Sequence, residues 1–95
     1  MTKKKTYRRA FKILNDAIKA NIIVEDAFIT SFMAKADSAQ HDLNNACTDT
    51  EETNATNERD TAIYNTEKHL LNLRRLETLR GMLDAFRADF NRIIK

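Results

Sequence analysis

The residues best suited to chemistry are few, and their spacing does not combine them. His41 and His69 are the two histidines, the side chains that most readily exchange protons near neutral pH or ligate zinc. Neither lies in a His-Glu-x-x-His or Glu-x-x-His arrangement. Their nearest acidic neighbours, Asp42 and Glu67, are one and two residues away, and side chains so spaced point in different directions on a helix. A structural or solvent-facing role is expected for both. Cys47 is the single cysteine, so it has no second thiol for zinc or for an intrachain disulfide. It falls on an apolar stripe, where a buried, inert thiol is expected. Asp49, Glu51, Glu52, Glu58 and Asp60 crowd a segment with almost no apolar anchor, which is ill suited to the fixed geometry and burial that acid–base catalysis needs. The segment has neither the ligand spacing nor the glycine of an EF-hand, and no glycine-rich loop exists to cradle phosphate. No enzymatic activity, cofactor or metal is expected.

Cationic residues offer a different chemistry. Lys3, Lys4, Lys5, Arg8, Arg9 and Lys12, with Tyr7 among them, form a cluster able to contact several phosphates. Arg74, Arg75, Arg80, Arg87 and Arg92 add positive charge but are interleaved with acids. No helix-turn-helix or RNA-binding motif accompanies them, so nucleic-acid binding stands as the alternative reading. The net charge of +2 hides a segregation: residues 1–36 carry +5, residues 37–60 carry −6 and residues 61–95 carry +3. Folding the acidic middle into the tip of a hairpin would make the molecule electrically polar along its length.

The elements that must position these groups read as helices. There is no proline and one glycine in 95 residues, which removes the punctuation of loop-rich and all-β folds. With 42% apolar and 32% charged residues, the composition is that of helices with one apolar face. Residues 1–5 have no apolar anchor and read as a disordered basic arm ahead of a single helical domain over 6–95. Tyr7, Ala10, Phe11, Leu14, Ala17, Ile18 and Asn21 recur at steps of three and four, predicting a helix over 6–21 with Thr6 as its cap. The β-branched run Ile22-Ile23-Val24 after Asn21 marks the expected corner. Val24, Ala27, Phe28, Phe32, Ala36, Ala39, Leu43 and Cys47 continue as a second helix over 24–47, with alanines that permit close helix approach. The Thr-, Asn- and Asp-rich residues 48–60 compete with helix through local side-chain bonds and read as an acidic polar loop.

The third helix, over 61–94, is the most regular. Leu76, Leu79, Leu83, Phe86, Phe90 and Ile93 follow an unbroken heptad, whereas upstream three successive three-residue steps rotate the stripe and exclude a continuous coiled coil. Gly81, inside this helix at a cost of roughly 1 kcal/mol relative to alanine, raises the expectation that another backbone approaches closely there. The fold class is therefore all-α: a helical hairpin with an additional N-terminal helix, assembling as a helical bundle. A chain of this length has a thin core, and so long a stripe outruns two shorter helices, which points to a homodimer. The interface is expected at Leu76, Leu79, Leu83, Phe86, Phe90 and Ile93. No signal peptide or apolar run of about 20 residues is present, so a cytoplasmic location without membrane contact is expected. The function read from these features is a non-enzymatic interaction module that docks on a larger protein or complex and regulates, inhibits or bridges it.

Overall fold

The computed structural model describes residues 3–94, which form two long helices and no strand: α1 (Lys3–Asn44) and α2 (Asp49–Ile94). They pack antiparallel into a rod of 70 × 18 × 13 Å. Each helix presents the other with residues alternating by four and three. On α1 the sheltered positions are Phe11, Asn15, Ile18, Ile22, Glu25, Ile29, Phe32, Ala36, Ala39 and Leu43. On α2 they are Ala55, Arg59, Ala62, Thr66, His69, Leu73 and Leu76, continuing at seven-residue steps through Leu83 and Phe90. A strict seven-residue spacing keeps one line of side chains facing the partner along the whole length of a helix pair.

Side-chain size changes along this seam. Near the turn it is made of small residues, and Ala39, Ala55 and Ala62 are buried there. At the open end it is aromatic: the Tyr7 ring lies 4.5 Å from that of Phe90, and the buried Phe11 lies 5.7 Å from both Phe86 and Phe90. Besides Phe11 and the three alanines, Ile29 is the remaining buried apolar residue among those described. Two helices side by side cannot enclose a larger core, because each has only one neighbour.

Two helices replace the expected three. No corner forms at Ile22-Ile23-Val24, and α1 runs straight through it. Asn21 stays helical and donates from Nδ2 to the Ala17 carbonyl at 2.9 Å. The helix-propensity cost of a β-branched run is only tenths of a kcal/mol per residue, and Ile22, on the seam, gains more by half-burial against α2 than the run loses. Lys3, Lys4 and Lys5 belong to the first turn of α1 and not to a disordered arm, while Met1 and Thr2 lie outside the described residues.

The acidic loop expected over 48–60 is also absent. Only residues 45–48 connect the helices, and 49–60 are the first three turns of α2. Asn45 closes α1, its Nδ2 donating to the His41 carbonyl at 2.8 Å. Thr48 opens α2: the Glu51 amide donates to Thr48 Oγ1 at 3.1 Å, and Glu51 Oε2 accepts from the Cys47 amide at 3.1 Å. This is capping-box chemistry, in the sequence Thr48-Asp49-Thr50-Glu51. Asp49, Glu51 and Glu52 in the first turn complement the positive end of the helix dipole. Limited proteolysis should therefore spare residues 49–60. Thr48→Ala should cost about 1 kcal/mol in urea unfolding; cleavage of the folded protein within this segment would contradict the capped helix.

Gly81 has no close neighbour. A Cβ built there would meet nothing within 4 Å, and its φ is not positive. The expected backbone approach does not occur at this position, which faces away from the seam. Gly81→Ala should stabilise the protein by about 1 kcal/mol, raising the midpoint of a circular-dichroism melt by several degrees.

Candidate interaction surface

The chemistry-bearing side chains end up scattered. His41 is exposed in the last turn of α1, and Cys47 is exposed in the connection, where its Sγ lies 3.6 Å from the Asn45 carbonyl. The expectation of a buried thiol fails because α1 ends three residues before Cys47. His69 has a partner remote in sequence: its Nδ1 meets Glu25 Oε2 of the other helix at 2.5 Å, across 44 residues of sequence. The imidazole lies against two rings that also neighbour each other, with centroids 4.7 Å from Phe28 and 5.5 Å from Phe32 and planes 15° from parallel in each case. His69 and Glu25 retain only 18% and 16% side-chain exposure. A second polar link, Arg59 Nη1 to Gln40 Oε1 at 2.9 Å, joins the helices nearer the turn. Both links occupy or flank seam positions, where polar pairs fix register. No group of three or more His, Cys, Asp or Glu side chains able to hold a metal ion exists among the described residues.

The two sides of the hairpin differ sharply. Lys35, Ser38, Glu58, Thr61 and Asn65 line a groove on one side near the turn. Met33, Asp37, Gln40, Ile63 and Glu67 line a groove on the other. Because the seam repeats every seven residues, stepping by sevens from these positions assigns the open half of the rod. The Met33–Ile63 side continues through Lys5, Lys12 and Lys19 of α1 and through Leu70, Glu77 and Asp84 of α2. Its open half is laced with opposite charges. The Lys35–Asn65 side continues through Tyr7, Leu14, Asn21 and Phe28 and through Ala10, Ala17 and Val24 of α1. Its α2 half carries Asn72, Leu79, Phe86 and Ile93, with Lys68, Arg75, Met82 and Asp89 beside them.

This flank is apolar and open to solvent. Leu14 is 52% exposed, and Leu79, Phe86 and Ile93 are 51, 61 and 77% exposed. The expected stripe on α2 thus divides. Leu76, Leu83 and Phe90 half-bury themselves against α1, whereas Leu79, Phe86 and Ile93 stand on the uncovered flank. On α1 the outer row Thr6, Ile13, Ala20 and Ala27 extends the same surface, so from Thr6 to Phe28 this side of α1 holds no charged residue.

The basic residues do not share a face. Lys4 and Arg8 lie toward the seam, Lys5, Arg9 and Lys12 on the Met33–Ile63 side, and Lys3 toward the opposite side; Lys12 pairs with Asp16 at 3.1 Å. The hairpin does bring the +5 and +3 segments together at its open end and sets the −6 segment at its tip. No helix among the described residues is long and apolar enough to cross a membrane.

Comparison of the chain with protein-family models, curated proteins and solved structures finds no match. The surface itself must carry the functional reading.

Proposed function

We propose that this protein is a non-enzymatic helical interaction module that docks on a larger protein or complex and regulates, inhibits or bridges it. Its docking surface is the largely apolar flank of the open half. One observation carries this reading: a charge-free side of α1, more than six turns long, lies exposed beside Leu79, Phe86 and Ile93. Soluble proteins seldom leave a contiguous apolar patch of that extent uncovered unless something binds it. The opposite side, at the same level of the rod, has the mixed charge of a solvated helix surface. Docking here would bury preformed helix, so little conformational entropy is lost on binding.

The test is affinity capture from the cell of origin with the wild type and with a Leu14→Asp/Leu79→Asp variant. Both side chains are about half exposed, so the folded hairpin should tolerate the changes. A partner retained by the wild type and lost by the variant supports the flank; equal retention by both overturns it.

The convergence of basic segments at the open end favours one second reading, nucleic-acid binding through Lys3, Lys4, Lys5, Arg8, Arg9 and Lys12. Such binding would weaken with salt at a log–log slope of about −0.9 per phosphate contact on duplex DNA. Fluorescence anisotropy at two salt concentrations distinguishes the readings, since apolar docking has little salt dependence.

A further inference from the structure

We infer that in the isolated protein the largely apolar flank is closed by a second copy of the chain, packed antiparallel to form a four-helix bundle that a larger partner must displace. This rests on the reading of that flank as the docking surface and adds the identity and orientation of its occupant. The charges on the face select both. Lys3 and Lys68 lie at the two ends of this flank; between them its charged positions among the described residues are Arg75 and Asp89 of α2. They have opposite signs and stand one heptad to either side of Met82.

A two-fold axis crossing the helices at right angles beside Met82 lays each α2 along the α2 of its mate, running the other way. Arg75 of each copy then faces Asp89 of the other, so one symmetry operation makes two pairs and leaves neither charge without a partner. Asp89 already accepts from Arg92 on its own helix at 2.9 Å but keeps 62% side-chain exposure, which leaves it open to a second donor. The alternative two-fold, parallel to the helices, lays α2 against the uncharged side of the second α1. Arg75 and Asp89 would then be covered without partners, a costly arrangement. The acidic tips, −6 each over residues 37–60, would also come together. The antiparallel arrangement places those tips at opposite ends of the assembly.

The area is sufficient. From Thr6 to Phe28 the face is about 33 Å long at 1.5 Å per residue. With a rod width of 18 Å, that makes on the order of 600 Å² per copy, or about 1,200 Å² for the pair, at the lower bound of stable protein interfaces. The outer alanines Ala10, Ala17 and Ala20 on α1 allow the second copy to approach closely.

Sedimentation equilibrium at micromolar concentration should give a dimer. Arg75→Asp and Asp89→Arg should each turn two attractive pairs into two repulsive ones and weaken dimerisation by at least about tenfold, while the two changes combined in one chain should restore it. Both residues are exposed, so folding is not at stake, and unchanged helicity would confirm that. Under oxidising conditions Met82→Cys in a Cys47→Ser background should form a disulfide-linked dimer, and the native Cys47 should not. Single reversals that leave the dimer intact, or cross-linking through Cys47, would overturn the antiparallel pairing. A monomeric wild type would overturn self-association altogether, while the docking reading would still be decided by the Leu14→Asp/Leu79→Asp capture.

Discussion

Phe11→Ala is expected to cost about 3 kcal/mol and to fray the open end of the hairpin. Among the described residues Phe11 is the largest of the buried side chains and the only one of them at that end, where it holds Phe86 and Phe90 together from across the seam. Its removal leaves a cavity between two helices that have no third element to collapse inward, so little of the loss can be recovered by relaxation. For a small domain whose total stability is of the order of 5 kcal/mol, that is most of the margin. Urea unfolding followed by circular dichroism would register the loss. Hydrogen exchange would show it concentrated in residues 3–20 and 80–94, with the capped turn still protected. A loss below about 0.5 kcal/mol, the usual range for exposed sites, would mean that the aromatic cluster does not secure the helices.

The second large effect concerns the polar link between Glu25 and His69. Each sits at a seam position and is largely withdrawn from water. Replacing either alone with alanine strands its partner in an apolar enclosure walled by Phe28 and Phe32, at an expected cost of about 1–3 kcal/mol. Replacing both with leucine should behave differently. One new leucine would lie between Ile22 and Ile29 on α1 and the other between Thr66 and Leu73 on α2, extending the apolar seam through this level of the rod. Substitution of a sheltered polar pair by apolar residues is often neutral or stabilising by ~1–4 kcal/mol. The expected loss is in uniqueness. With Glu25 and His69 gone, Arg59 to Gln40 remains, among the described residues, as the one polar side-chain link that distinguishes this register from a slip by one heptad. A double-mutant cycle in urea measures the coupling, and the number of amide resonances per residue reports register. Additive single effects, or a double-leucine variant as destabilised as either alanine variant, would show that the pair does not act as a unit.

Much of this architecture is legible in the order of residues. The absence of proline and the single glycine settle an all-helical chain, because nothing interrupts hydrogen bonding between successive turns. The charge layout likewise foretells a rod with unlike ends. The cap at Thr48 is legible too, since Thr-x-x-Glu before a helical stretch is a local signal; the threonine- and asparagine-rich composition that follows conceals it.

Other features are decided by tertiary structure alone. Ile22-Ile23-Val24 is a weak helix stretch by propensity, yet a partner along the whole of α1 makes continuing the helix more favourable than turning a corner. Leu76 and Leu79 belong to one sequence pattern. Which of the two is covered depends on where α1 lies, and periodicity along one helix cannot locate its neighbour. Tyr7, Leu14 and Phe28 fit the inner stripe by spacing as well as Phe11, Ile18 and Ile29 do, but the seam runs through the latter three. Glu25 and His69 are far apart in sequence, and only the antiparallel pairing of two straight helices brings their side chains within reach. Sequence alone specifies which faces are apolar, because hydropathy is a property of each residue; which apolar face becomes the core and which is left for a partner is set by how the two helices meet, since burial is a property of pairs.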